Sequence, residues 1–209
     1  LLTASRLQAD HMDGETAREF LNDIGDEADR LTRITEKLLT LTRLDTAPAA
    51  EDVPVDVGAV VERVEHMLSP LARAVEVSLE LKLQPGCVVL ATEDDLYQIA
   101  FNLMENAVKY NLPGGRVLVT LTADGGRVVL RVEDTGVGIP KADLPKIFDR
   151  FYRVDKARSR AAGGTGLGLS IVRDTVLQHG GAVTARRREP EGTCFEVSFA
   201  QWNGEEVGR

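Results

Sequence analysis

The chain has 209 residues, of which 43% are hydrophobic, 28% are charged and only 5% are aromatic, a composition that argues against a disordered, collagen-like or membrane-spanning protein. Its formal net charge of −8 argues against a nucleic-acid partner, which a basic face would attract. The two cysteines, Cys87 and Cys194, are too few for a disulfide framework and lack metal-site spacing, so a reducing cytoplasmic setting is expected.

The first predicted element is a helix from Phe20 to Asp45. A heptad-like seam of this kind favours a helix of a dimeric bundle, although an amphipathic helix packed on its own domain has the same pattern. The seam positions, four and three residues apart, are Phe20, Ile24, Glu27, Leu31, Ile34, Leu38, Leu41 and Asp45. Residues 1–46 are therefore interpreted as partial dimerisation helices, followed by a linker at residues 47–53.

A second domain is predicted for residues 54–200, with 201–209 as a polar tail. Apolar residues at helical spacing follow Val57, and a strand is predicted from Val75 to Leu83. A helix from Glu93 to Tyr110 begins after Thr92 as its N-cap. Two strands at 116–123 and 127–134 form a hairpin, a short helix is expected at 144–151, and a helix over 170–177 precedes a final strand pair at 181–187 and 193–200. The expected fold class is α+β, a two-layer α/β sandwich with helices on one face of a mixed sheet.

The helix ending at Tyr110 carries a polar stripe. Asn102, Asn106 and Lys109 are four and then three residues apart, which brings their side chains to one side of the helix. An Asn carbonyl suits Mg²⁺, and a lysine reaches a phosphate as a point charge. A solvated helix face with a Glu105–Lys109 pair explains the same residues, and the helix alone does not decide between the two.

The string DTGVGIP follows the second strand of the hairpin and starts with Asp134. A carboxylate at a strand end can accept a hydrogen bond from the amino group of adenine, whereas guanine presents a carbonyl there. An ordinary turn that uses Asp and Gly for conformational reasons is the alternative.

Two motifs close the predicted site. The string KIFDRFYRVDKARSR mixes aromatic residues with arginines, which is typical of a mobile lid that meets phosphate, or else of an amphipathic surface turn. The string AAGGTGLGLS places glycines directly before a helix, where free N–H groups bind phosphate. A flexible connection would also contain such glycines.

In this order, NLMENAVKY, DTGVGIP, IFDRFYR and GGTGLGLSIV resemble the asparagine, first glycine, phenylalanine and second glycine boxes of sensor histidine kinases. The resemblance covers Pro54 to Ala200 and implies the ATP-binding Bergerat fold, with ATP and Mg²⁺ as cofactors. It implies phosphoryl transfer from ATP to a histidine and then to an aspartate of a response-regulator receiver domain. It also implies a homodimer formed through the helical segment, in the cytoplasmic portion of a membrane-anchored sensor.

Carried over residue by residue, the resemblance gives each motif a role. Asn106 would coordinate Mg²⁺ with Asn102 beside it, and Lys109 and Tyr110 would contact the phosphates. Asp134 would recognise adenine, and Arg153 would touch phosphate from the lid. The remaining residues of the implied site are Gly136, Gly138 and Ile139 around adenine and Gly164, Thr165, Gly166, Leu167 and Gly168 around the phosphates. Related gyrase-like ATPases carry a Glu where this chain has Asn102, so slow hydrolysis is expected.

The acceptor histidine is the gap in this resemblance. The family's acceptor is followed by Glu or Asp and then by Thr-Pro, and no such string occurs here. The opening LLTAS resembles the sequence just past that proline, so the chain is interpreted as a fragment whose acceptor lies immediately upstream of Leu1. His11 falls in a predicted turn and is disfavoured, while His66 and His179 are interpreted as structural.

Two other functions stay open on the sequence alone. An anti-sigma-type serine kinase would use the same ATP-binding fold, although the heptad-bearing helix argues against it. A non-catalytic, nucleotide-binding dimerisation module would use the same motifs without phosphoryl transfer.

Overall fold

The computed structural model describes residues 51–155 and 165–204, together with residues 18, 20, 21, 24, 25, 28, 32 and 35, which have helical backbone. The predicted helical seam therefore lies mostly outside the described residues, as does the linker up to residue 50. No helix in the described part of the chain combines the length and apolar character needed to cross a membrane.

Three α-helices and seven strands make up the described domain. The helices are α1 (Val57–Ala74), α2 (Glu93–Lys109) and α3 (Gly168–Gln178). The strands are β1 (Val53–Asp56), β2 (Ser78–Leu83), β3 (Val88–Ala91), β4 (Arg116–Asp124), β5 (Arg127–Asp134), β6 (Ala182–Arg187) and β7 (Thr193–Ala200). One turn of 3₁₀ helix spans Leu144–Lys146.

The strands form two sheets. The larger has the order β2-β4-β5-β7-β6, in which only β2 and β4 are parallel. The smaller pairs β1 with β3 in antiparallel register. Helix α2 contacts both α1 and α3. The predicted α+β sandwich with a mixed sheet is thus confirmed.

Alternating side chains on β4 and β5 explain how the sheet and helices adhere. Val117, Val119 and Leu121 of β4 are fully buried, and β5 buries its own alternate residues in the same core. Helix α2 begins after an N-cap residue. The Thr92 hydroxyl oxygen accepts a hydrogen bond from the Asp95 N–H at 3.2 Å, which confirms the predicted N-cap.

The structure differs from the sequence predictions at three places. The strand predicted from Val75 begins at Ser78, because α1 runs to Ala74 and its end is closed by the Val77 N–H bonding to the Ala72 carbonyl. Strands β1 and β3 were not predicted, and β1 begins inside the predicted linker. The helix expected at 144–151 is a 3₁₀ turn followed by further turns, since its backbone hydrogen bonds span three residues, as from the Asp149 N–H to the Lys146 carbonyl.

Candidate functional site

A cavity of about 620 Å³ lies where the ends of several elements meet. Its walls come from α2, the loop after β5, the segment before residue 156, the start of α3, and strands β6 and β7. This volume falls in the range of about 300–1,000 Å³ that is usual for small-molecule sites. Regions far apart in the sequence therefore share one concave surface.

Helix α2 supplies the polar wall of the cavity. Asn102, Asn106, Lys109 and Tyr110 all line it. Asn102 is only 5% exposed, and its amide group donates to the Gln98 carbonyl at 2.8 Å, which holds the side chain in place. The spacing of four and three residues thus directs these groups to one side, as the sequence predicted.

An ion pair occupies the same wall. The Lys109 ammonium lies 2.9 Å from a carboxylate oxygen of Glu105, and both side chains are partly buried. This is the helix pair that was the alternative explanation of the stripe, and Glu105 itself lines the cavity. Because the pair is at the cavity wall and not on a solvated face, Lys109 remains within reach of a bound ligand.

Asp134 at the end of β5 is a buried carboxylate, 6% exposed, that lines the cavity. Its Oδ1 accepts from the Gly136 N–H at 2.8 Å and from the Thr193 N–H at 3.2 Å. Burial raises the pKa of this carboxyl, while the backbone hydrogen bonds from Gly136 and Thr193 act in the opposite direction. A carboxylate has about four lone-pair positions, so capacity is left for a ligand donor.

The loop after Asp134 is fixed by close backbone packing. Gly138 and Ile139 line the cavity, but Gly136 does not. A Cβ at Gly136 would overlap the Tyr110 carbonyl oxygen and lie 2.9 Å from the Asn111 Cα, so only glycine lets this loop approach the end of α2. Gly136 therefore acts on the cavity indirectly: it lets the loop pack against the end of α2, and its N–H donates to Asp134.

Residues on either side of the segment 156–164 meet at the cavity rim. The Phe151 N–H donates to the Gly166 carbonyl at 2.8 Å, and Gly166 has a φ of +75°. Arg150 also forms an ion pair with Asp174 of α3 at 3.0 Å. These contacts fix the positions of Arg150, Phe151 and Gly166, whereas the predicted lid, residues 146–160, is described only up to residue 155.

The start of α3 faces the cavity. Thr165, Gly166 and Gly168 line it, together with Arg153 from the preceding segment. Leu167 is fully buried against Ile171 instead and anchors the turn, so its side chain lies away from the cavity. The predicted residue Gly164 lies outside the described residues.

Several lining residues were not among the predicted site residues. They are Phe101, Glu105, Val137, Pro140, Ile147, Tyr152, Val154, Asp155, Leu169, Arg187, Thr193 and Phe195. Strand alternation was the signal that could have identified Thr193 and Phe195, because alternate residues of β7 face the helices. Arg187 stands in a run of three arginines, Arg186 to Arg188, in which the sequence does not show which side chain faces the helices.

The donor set suits a divalent cation only when it is shared with an anionic ligand. No group of three or more His, Cys, Asp or Glu residues that could hold a metal occurs in the described part of the chain. Asn102 and Asn106 offer neutral amide oxygens, and Mg²⁺ typically completes its coordination with water and phosphate oxygens. The residues present therefore fit Mg²⁺ that arrives with a phosphate ligand.

The fold and this cavity define an ATPase-type domain. Residues 91–202, more than half of the chain, match the family described as histidine kinase-, DNA gyrase B- and HSP90-like ATPases, and the chain belongs to that family. Within it, the chain is homologous to sensor histidine kinases.

Two curated relatives and one solved structure illustrate the similarity. The chain is 34% identical over 200 residues to the sensor-like histidine kinase SenX3 of Mycolicibacterium smegmatis, covering 95% of this chain and 52% of SenX3. It is 35% identical to the sensor protein kinase WalK of Staphylococcus saprophyticus, covering 90% of this chain and 31% of WalK. Full-length ShkA, solved in complex with AMPPNP, is 31% identical with a TM-score of 0.76, covering 93% of this chain and 41% of ShkA. The chain thus spans about half or less of each of these proteins.

Proposed function

We propose that this chain is the ATP-binding catalytic part of a two-component sensor histidine kinase. It binds Mg·ATP and transfers the γ-phosphoryl group to a histidine located before Leu1, from which the group passes to an aspartate of a response-regulator receiver domain. The observation that carries the proposal is the convergence of four motifs, spread over residues 102–168, on one cavity. The similarity to sensor histidine kinases over 95% and 90% of the chain favours this activity over that of gyrase-like or HSP90-like ATPases.

Asp134 recognises the base. Two backbone N–H groups hold its buried carboxylate in position, and this acceptor takes a hydrogen bond from the amino group of adenine. Guanine would set its carbonyl against the carboxylate and leave two acceptors facing each other in a buried site, which discriminates strongly. Gly138 and Ile139 form the adjacent surface for the adenine ring.

The polar wall of α2 receives the phosphates. Asn106, with Asn102 beside it, holds Mg²⁺ through amide oxygens, and the cation neutralises phosphate charge when bound. The Lys109 ammonium, which lies 2.9 Å from Glu105 without a ligand, binds a phosphate oxygen when the nucleotide is present. Tyr110 at the end of the helix contacts the phosphates as well. Transfer then depends on positioning and charge neutralisation, which needs no nucleophile in this domain.

The start of α3 and the rim hold the outer phosphates. The turn from Thr165 to Gly168 offers N–H groups at a helix N-terminus, and Arg153 adds a positive charge from the rim. Asn102 is an amide tied to the Gln98 carbonyl and cannot take a proton from water. Glu105 also lines the cavity, but it lies one residue from Asn106 and about 100° around the helix from it, so it is poorly placed to act as the base instead. Hydrolysis is therefore slow, and the phosphoryl group is retained for the acceptor.

The wider assignment extends this function to the whole protein. The N-terminal helical segment forms a homodimer, the response regulator docks as the phosphoryl recipient, and the domain works in the cytoplasm. Any attachment to a membrane is made by regions outside this chain. Nucleic acid is not a partner, in keeping with the net charge of −8.

The stability of the transferred phosphate tests the proposal. A longer form of the protein that includes the residues before Leu1 is incubated with Mg²⁺ and ATP labelled on the γ-phosphate, alongside its Asn106→Asp variant. We expect label that is lost in acid and kept in alkali, as for phosphohistidine, and no label in the variant. Acid-stable label would instead support a serine kinase, and ATP binding without any label would support a non-catalytic module.

A further inference from the structure

Three consecutive arginines, Arg186 and Arg187 at the end of β6 and Arg188 just after it, divide their side chains between the two faces of the sheet. Arg186 points to the open face, where its guanidinium lies 3.8 Å from the Glu133 carboxylate. Arg188 lines a small cleft on that face, again with Glu133. Because successive residues of a strand alternate, Arg187 faces the helix side, and it lines the large cavity.

The position of Arg187 within the cavity is set by its strand partner. Arg187 is paired with Thr193 in the β6–β7 register. The Thr193 N–H donates to Asp134, so Arg187 lies at the end of the cavity that contains the base-recognising carboxylate. Lys109 and the start of α3, which receive the phosphates in the proposed function, belong to other walls.

Arg187 also differs from the other charged groups nearby in its partners. Lys109 is paired with Glu105, and Arg186 with Glu133. No hydrogen bond or ion pair joins the Arg187 guanidinium to any residue in the described ranges 51–155 and 165–204. Its side chain is exposed and lines the cavity, so it is available to a ligand.

We infer that Arg187 is a further nucleotide-binding residue, whose planar guanidinium contacts the adenine base beside Asp134. A guanidinium is flat, always charged and weakly hydrated, so it stacks well against an aromatic ring. Asp134 would then select the base by its edge, while Arg187 would hold it across its face. This inference rests on the proposed function, because it requires an adenine nucleotide in the cavity.

The affinities of ATP, ADP, AMP and adenosine test the inference, since all four share the base and adenosine has no phosphate. Each is measured by calorimetry with Mg²⁺ present for the wild type, Arg187→Ala and Arg187→Lys. The matched control is Arg186→Ala, which removes the neighbouring arginine from the opposite face. Thermal unfolding of each variant verifies that it is folded.

We expect Arg187→Ala to weaken the binding of all four ligands by the same factor, about three- to thirtyfold as for a cation–π contact. Arg187→Lys should recover only part of this loss, and Arg186→Ala should bind as the wild type does. Unchanged affinities in Arg187→Ala would overturn the inference. So would a loss that spares adenosine, which indicates a phosphate contact, or full recovery by lysine, which indicates charge alone. If the wild type binds none of the four, the proposed function fails and the inference falls with it.

Discussion

At the scale of single residues, Asp134 illustrates how one side chain can be both buried and useful. Its carboxylate is held by two backbone N–H groups, one from its own loop and one from β7. Such charge-assisted hydrogen bonds offset part of the cost of burial, which nevertheless raises the pKa of the group. The result is a fixed acceptor whose position is determined by backbone and not by a flexible neighbour.

Replacing this acceptor with an amide should change which base is preferred. Asp134→Asn keeps the size of the side chain but can present an N–H, which repels the adenine amino group and suits the guanine carbonyl. We expect the preference for ATP over GTP, at least about 100-fold in the wild type, to fall close to unity. The comparison is made by competition binding, with Asp124→Asn at the exposed end of β4 as the control. An ATP preference that survives in Asp134→Asn would remove the carboxylate from base recognition.

A second residue-scale prediction concerns Gly136. A methyl group there would overlap the Tyr110 carbonyl, so Gly136→Ala should push the loop from α2 and cost about 2–3 kcal/mol of unfolding free energy. Urea unfolding measures this cost. The control is Gly125→Ala, whose added Cβ would meet nothing within 4 Å and whose φ of +57° costs about 1 kcal/mol. Equal costs for the two substitutions would mean that the close approach at Gly136 is not important.

At the scale of elements, α3 is tied down at both ends. Its start forms part of the cavity, and its end is followed by His179, whose side chain is 2% exposed. The ring Nδ1 lies 3.1 Å from Asp52 and Nε2 lies 2.9 Å from Asp95 in the first turn of α2. A neutral imidazole has only one N–H, so both contacts are satisfied only by the charged form. The structural role expected of His179 from the sequence thus has a physical basis in these two contacts.

The His179 contacts predict a stability that depends on pH. The hydrogen bond to Asp95 raises the pKa of His179 in the folded protein. The stability that the charged ring contributes is therefore complete below the pKa of about 6.5 that His179 has in the unfolded chain, and it is lost as pH rises through the folded pKa. The hydrogen bond to His179 lowers the pKa of Asp95 in the folded protein. The stability from this pair is therefore also lost as pH falls through the folded pKa of Asp95, which lies below about 4.

Urea unfolding at two pH values measures this effect. His179→Gln should lower the unfolding free energy by about 2 kcal/mol at pH ~5.5 and by clearly less at pH ~9. His66→Gln, on the exposed side of α1, is the matched control and should change little at either pH. A cost for His179→Gln that is the same at both pH values would show that the ring contributes by packing and not by charge.

At the scale of the whole molecule, the sequence predicted what depends on local spacing. Asn102, Asn106 and Lys109 lie along one wall because their spacing matches the helical repeat, and the β4–β5 hairpin follows from alternation and two glycines. Strands β1 and β3 were not predicted because each has only four residues and forms its hydrogen bonds with a strand far away in the sequence. Their register pairs Val53 with Ala91 at one end and Asp56 with Val88 at the other. Arg187 was not predicted as a site residue because it stands between two other arginines. Three identical residues in a row show no alternation, so the sequence does not indicate that the middle side chain faces the cavity.

The central claim is that four distant motifs form one Mg·ATP site, and nucleotide affinity tests it most directly. ATP binding to this chain is measured by calorimetry with Mg²⁺ present, for the wild type, Asn106→Asp and Asp134→Ala. We predict binding by the wild type with a dissociation constant in the range of about 1 μM to 1 mM and no measurable binding by either variant. Unchanged affinity in either variant, in a protein that remains folded, would contradict the site described here.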